Sequence, residues 1–534
     1  MSLLLTTLTL MGLIAPGDTV RNASRVTGFL ESATAVYFDD KALGGRPQVW
    51  GSNNYLKLGW QRDSLSAGLQ AEWYPKALAG YPSELKGAGL TGAWLDWRHK
   101  GLDLTAGTFH EQFGSGLVLR TWEDRDLGIN NNLTGARVKF RTGALELKAL
   151  AGLPKFGMWP SASEMVTGGD LSLDFLALGG RYSEHSLRAG ASFMDHIAFR
   201  QEEGISLLAS SSGFTLPGHV FSWSGRLAYS YRGFSVKGEY AGKSDDFYVR
   251  ALPGATESYS LSGGNAELVE INYAAGNFSG TLTMRRLENM QSHIFHTASA
   301  QSVANTLNYL PALCAQQTYM LAGLNPYETF AAGEASLQGD LYYKFRRGTA
   351  LGGRYGMTLH VGGSWIEGLP CALPDRSSSH LAYRDINIDL ERRWTRNFRT
   401  ILFVSIQENS PTHGNRRATN AQNVFVLDAL YRFTRQFSAR LELQYLYSQE
   451  LSRDWMAALL EVSIAPHWSF SVSDMYNHGG TGVNYYNIAA SYTYSSLSLS
   501  LQAGRNREGI ICSGGVCRWQ PAWSGVMLRA QWSF

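Results

Sequence analysis

Residues 522–534 read AWSGVMLRAQWSF, and their alternation decides the class of fold. In an extended chain Ala522, Val526, Leu528, Ala530, Trp532 and Phe534 share one face, while Gly525, Met527, Arg529, Gln531 and Ser533 share the other. Successive side chains of a strand point to opposite sides, so this strand has one greasy face and one polar face.

The same rhythm recurs upstream. Leu497, Leu499, Leu501 and Ala503 oppose Ser498, Ser500, Gln502 and Gly504. Phe437, Ala439, Leu441, Leu443 and Tyr445 oppose Ser438, Arg440, Glu442 and Gln444. Leu65, Ala67, Leu69, Ala71 and Trp73 oppose Ser66, Gly68, Gln70 and Glu72. A soluble sandwich alternates too, so further features must choose.

Loop length is one of them. Short turns are expected at sites such as Arg62-Asp63, His99-Lys100, Glu184-His185, Arg232-Gly233 and Ser495-Ser496. Between the turns lie mostly longer loops, at 37–47, 75–86, 109–132, 153–171, 195–218, 244–265, 288–333, 366–379, 408–420 and 507–521, and two near Gln449 and Gly480 break the length trend but not the order. Membrane barrels sort their loops in this way, short on the periplasmic side and long outside. Aromatic residues gather near strand ends, as at Trp94, Trp97, Tyr229, Tyr231, Trp394 and Trp532, which fits interfacial girdles. The expectation is an all-β fold: a transmembrane, antiparallel, up-and-down β-barrel of about 24 strands, within about two. It would have no N-terminal plug and lie in the outer membrane of a Gram-negative bacterium.

Composition agrees. The net charge of +3 gives no electrostatic case for nucleic acid. Hydrophobic residues make up 44% of the chain, yet mean hydropathy is slightly negative, as spread-out alternation requires. Leu3 to Ala15 is a mainly apolar run with the length of a signal-peptide core, so residues 1–15 are expected to be a leader and 16–534 the barrel. Strands of membrane length begin by about Val26, which leaves no room for the globular plug of a TonB-dependent transporter.

The polar faces are ionic. Arg137, Lys139, Lys237, Glu239, Asp385, Asp389, Glu391, Arg440, Glu442 and Arg529 are expected to face the lumen, because charge toward lipid is costly. Loop 109–132 is Gly-rich and charged, and Arg120, Glu123, Asp124 and Arg125 are the candidates for a constriction. Loop 288–333 is the longest and carries Leu307, Leu310, Met320 and Leu321, which suits a folded lid or a partner surface. Cys512 and Cys517 bracket a four-residue hairpin tip and could form a disulfide; Cys314 and Cys371 fall in successive outer loops and could form another. No catalytic motif, metal-ligand set or cofactor fingerprint stands out, so neither an enzyme nor a cofactor is expected.

The chain's end resembles the C-terminal signal of outer-membrane proteins, which marks Phe534 as the residue the assembly machinery would read. FHEQFGSGLVLRTWEDRDLGINNNLTGARV (109–138) and GRNREGIICSGGVCRWQPAW (504–523) resemble segments of large, functionally uncharacterised outer-membrane barrels from Bacteroidota. That resemblance implies the location and the barrel, and no catalytic residues. Two functions follow as expectations. One is a passive channel or transporter for polar solutes, gated by loops 109–132 and 288–333. The other is a non-transporting accessory barrel of a secretion or assembly complex, docking through its outer loops. Membrane lipid and lipopolysaccharide are the remaining expected partners.

Overall fold

The computed structural model describes residues 24–178, 184–200, 209–250, 258–294, 305–308, 310–330, 332–371, 380–410, 420–513 and 516–534. The expected leader lies outside them. From Arg25–Phe38 to Trp523–Ser533, antiparallel strands follow one another round a ring. The first strand pairs with the last, from Phe29 opposite Ser533 to Phe38 opposite Ser524. The main sheet has 25 strands. One is the two-residue Trp159–Pro160 ladder that folds back on Leu145–Phe156, so the wall itself has 24. Closure leaves no edge strand, which is the condition for strands to cross a bilayer, and unpaired backbone remains only where neighbouring strands differ in length. No plug domain occurs among the described residues.

The burial pattern is inverted relative to a soluble protein. Along Asn420–Arg432, Phe425 and Leu427 are 49% and 41% exposed, while Val424, Val426 and Asp428 between and beside them are nearly inaccessible. Leu69, Leu147, Phe193, Leu337, Ile386 and Leu460 continue that exposed apolar belt round the ring. Exposed Trp97, Phe140, Tyr273, Trp394, Trp468 and Tyr494 sit at the short-turn end, and Trp50, Trp223, Trp365 and Tyr445 at the other. The expected girdles are therefore at headgroup level on both sides. Ile388→Arg, in the middle of the belt, should destabilise the barrel by about 2–4 kcal/mol. Urea titration in phospholipid bilayers would read this, and an unmoved midpoint would mean the face does not contact lipid.

Several boundaries differ from expectation. The wall runs through most of the expected loop 153–171, as Leu145–Phe156 and Glu164–Asp174. The turn expected at Glu184-His185 is the longer connection 175–184. Another long short-side connection, 346–356, was not anticipated. In both places Gly and polar residues blur the alternation. Loop 244–265 shrinks, because Phe234–Arg250 and Ser258–Ala275 extend to 17 and 18 residues. Loop 195–218 also loses its start, since His185–Ala198 remains in the wall.

One sector is low. Leu102–Phe109 has eight residues and Leu133–Arg141 nine. The preceding strand, Gly87–His99, pairs with Leu102–Phe109 only from Trp94 to His99, so its outer half has no ladder on that side. The indole of Trp159 lies over that half, so close to Gly89 that a β-carbon there would sit 2.0 Å from the ring.

Candidate functional site

The chain leaves the wall at Phe109, at the end of its short strand, and enters the lumen. Phe113 N–H donates to Leu119 O (2.9 Å) and Thr121 N–H to Glu111 O (3.0 Å), which makes an inner hairpin. Its tip needs glycine: Gly114 and Gly116 have φ of 52° and 94°, values that side chains with a β-carbon rarely adopt. Phe113, Leu117, Val118 and Leu119 are buried against inward wall side chains Leu150, Val166, Met194 and Leu268. This first strap thus carries its own small core into the lumen.

Charge fastens it. The Glu111 carboxylate meets Arg137 at 3.3 Å, Lys139 at 2.6 Å and Lys148 at 3.2 Å, with its side chain only 4% exposed. Burial pushes this carboxyl group upward in pKa, but Lys139 and Lys148 outweigh it and hold the group below the usual glutamate range. At the tip, Ser115 N–H donates to Glu239 at 2.9 Å. Further along, Arg125 pairs with Glu31 and Glu123 (3.3 Å each) and lies over the rings of Phe29 and Tyr55. Asp126 pairs with Arg529 at 2.7 Å.

The second loop joins the first and then crosses to other strands. Arg120 N–H donates to Leu307 O (2.8 Å), Asn308 Nδ2 donates to Leu117 O (2.8 Å), and Asn131 Nδ2 donates to Thr306 O. Beyond that junction, Tyr319, Leu321, Ala322 and Leu324 cover inward Phe403, Val424, Val426, Leu446 and Trp455. Amides make the attachment here. Leu321 N–H donates to Gln444 Oε1 (2.9 Å), Gln407 Nε2 to Ala322 O (3.0 Å) and Asn325 Nδ2 to Ser452 Oγ (2.7 Å). One strap is therefore held mainly by ion pairs, the other by neutral hydrogen bonds.

A model of one protein family matches residues 1–534. The chain belongs to the family of unknown function DUF6029. This DUF6029 barrel is similar to the P pilus usher (PapC) translocation pore, at TM-score 0.44 and 9% identity over 96% of this chain and 99% of that one. It is also similar to the copper transporter OprC, at 0.43 and 11% over 97% and 82%. A third similar structure is the siderophore receptor PirA from Pseudomonas aeruginosa, at 0.41 and 12% over 97% and 81%. No curated protein matches the chain. The closed even-stranded ring, its lipid-facing belt and its sorted ends place the DUF6029 barrel in the Gram-negative outer membrane.

Of the four constriction candidates, Glu123 and Arg125 bind each other, and Glu123 also accepts from Gln70 (3.1 Å). Asp124 holds a turn through Leu127 N–H (2.9 Å), and Arg120 joins the two straps through its backbone. Among the expected lumen-facing residues, Lys237 lies 3.9 Å from Glu270, Asp389 lies 2.7 Å from His360 Nδ1, and Glu391 lies 3.6 Å from Arg399. Arg440 pairs with Asp428 and Glu442, and Asp385 accepts from Asn387 and Tyr383. Most of these charges are thus matched by neighbours on the wall.

Glu111 is the residue sequence reasoning passed over. Its signal was an imbalance along the chain: residues 133–156 carry Arg137, Lys139, Arg141, Lys148 and Lys155 against a single acid, Glu146, so acids from other segments had to face them. The expected Cys314–Cys371 disulfide is absent. Cys314 is packed inward against the cluster of Tyr327, Ile366, Ala382 and Tyr383. Cys512 and Cys517 are opposite one another in the ladder of Gly509–Ser513 with Val516–Gln520; their side chains lie outside the described residues. Among the described residues no group of His, Cys, Asp or Glu is arranged to hold a metal.

The short-turn rim carries one more feature. Arg346, Arg347 and Arg354, then Arg392, Arg393 and Arg396, then Arg432 and Arg435, lie on or beside three consecutive short-side connections. None of them has a carboxylate within ion-pair distance among the described residues.

Proposed function

We propose that this protein is a loop-gated transport barrel for polar solutes, and that its two straps must leave the wall before a solute passes. The observation that carries the reading is the clamp of three wall cations on Glu111, reinforced by the bonds between straps. Structural glue inside a barrel needs no such exchangeable attachment; apolar packing would serve. A ring of 24 strands encloses more space than the 16–18 strands that leave porins an aqueous channel, so loops have room to move. Cys512 and Cys517 would stiffen the last outer hairpin by a disulfide, visible as a thiol count that rises on reduction.

A second reading has its own support. The arginines on the periplasmic rim, which meet no carboxylate among the described residues, fit an acidic partner, as an accessory barrel of a secretion or assembly complex would need. Planar-bilayer recording separates the two. The native protein should show rare, small openings, and a form with residues 112–131 replaced by a short Gly-Ser linker should show discrete larger ones. If both forms are silent, and the native barrel co-purifies with periplasmic proteins in a manner abolished by Arg346→Glu/Arg347→Glu, the scaffold reading replaces transport.

A further inference from the structure

At the long-loop end, the second strap and the last outer hairpin leave a cleft between them. One cavity of about 530 Å³ lies between strap residues 312–327 and Ile510–Ile511. A second, of about 310 Å³, continues toward Tyr485 and Gln520. Met320, Met475, Arg507, Ile510 and Ile511 bound both, so Arg507 stands where the two meet. Tyr319, Tyr327 and Tyr383 add aromatic wall to the larger one, and Gln317 and Asn325 add amides.

Arg507 differs from Arg125, Arg137, Arg285 and Arg440, which each meet a carboxylate, and resembles Arg518, which donates to Asp126 O. The Arg507 guanidinium donates only to two backbone carbonyls, Leu324 O at 2.8 Å and Glu508 O at 3.0 Å. Among the described residues no carboxylate lies within ion-pair distance of it. Two residues earlier, Arg505 shows the ordinary arrangement, with Asp40 at 2.7 Å and 3.0 Å. Burial pulls the Arg507 pKa down, and Tyr485 and the neighbouring Glu508 carboxylate only partly offset it. A cation whose hydrogen bonds all go to carbonyls, with its neighbouring acid Glu508 beyond ion-pair distance, is incompletely compensated, and an incoming anion would correct that.

We propose that this cleft is a binding site for a small amphipathic anion, its carboxylate or phosphate on Arg507 and its apolar body between Met320, Met475, Tyr319 and Ile510. The volume falls within the range of small-molecule sites, and flexible thioether walls accept varied apolar shapes. The plainer role for Arg507 is to staple the strap to the hairpin through Leu324 O. That role explains the carbonyl bonds but leaves the two adjoining cavities without a purpose. The site stands whether or not the lumen conducts.

The test uses the intact barrel in nanodiscs, titrated with 3-phenylpropanoate, phenyl phosphate and the neutral 3-phenylpropanamide, read by calorimetry. At least one anion should bind saturably, and the better anion identifies the group preferred. The amide and the Arg507→Gln variant should each bind at least about tenfold more weakly, roughly the worth of one charge-assisted contact. If Arg507→Gln does not fold, Met320→Trp, which fills the cavity and spares the guanidinium, should abolish binding. Failure of both anions to saturate, equal binding of the amide, or unchanged binding in either variant would overturn the proposal.

Discussion

Glu111→Gln should convert a closed barrel into one that opens often. The wild-type carboxylate answers three cations, and the amide leaves Arg137, Lys139 and Lys148 facing one another across a poorly hydrated gap. Removing one partner of a buried ion pair costs about 3–5 kcal/mol. Arg137 keeps Thr105 and His110 O, and Lys148 keeps Gln112 O, so the lower end of that range applies. Even so, the open fraction of the first strap should rise by about 10²-fold, at about 1.4 kcal/mol per decade. Single-channel recording would show it directly, and hydrogen exchange at 110–132 would show it without conduction. Unchanged exchange would remove Glu111 from the closing mechanism. Acid should imitate the substitution in wild type. The Glu111 pKa is depressed, so its contribution is complete above the ordinary glutamate value near 4.3 and fades as pH falls through the lowered one. The strap should therefore stay fastened at neutral pH and loosen only in strong acid.

Leu321→Asp should release the other strap. Leu321 is fully buried among Phe403, Val424, Leu446 and Trp455, where a carboxylate finds no cation. Leu321→Ala alone should cost about 2–5 kcal/mol through the cavity it leaves, and the aspartate more, because it must also be desolvated. The wall does not depend on this contact, so the variant should remain a heat-modifiable barrel on cold electrophoresis. Hydrogen exchange should quicken at 319–325. It should also quicken at 117–121, because Asn308 and Leu307 tie the two straps together. If 117–121 does not respond, the straps act separately, and the junction at Asn308 is incidental.

The ring was legible because period-two alternation survives in nearly every strand, and Ala522–Phe534 shows it in the plainest form. Charge placement was legible for the same reason: with Ile386 and Ile388 outward, Asp385 and Asp389 have to point in. The straps were harder. Their inward course depends on inward apolar wall residues such as Val166, Met194, Val424 and Leu446, which break the polar pattern of the lumen face and resemble ordinary noise in a strand. Contacts between residues as distant as Leu117 and Asn308 leave no local periodicity to read. The lengths of connections 175–184 and 346–356 were misjudged for a related reason, since the Gly and polar residues within them interrupt the alternation without marking a tight turn.

The low sector at Leu102–Phe109 and Leu133–Arg141 bears on the membrane itself. Backbone groups along the outer half of Gly87–His99 face a place where no neighbouring strand completes the ladder, with the Trp159 indole as cover. Hydrocarbon cannot solvate such groups, so the outer leaflet has to thin beside this sector. A bilayer pinched at one point of the circumference gives the barrel a preferred azimuth, and any neighbour that relieves the pinch will be drawn to that side.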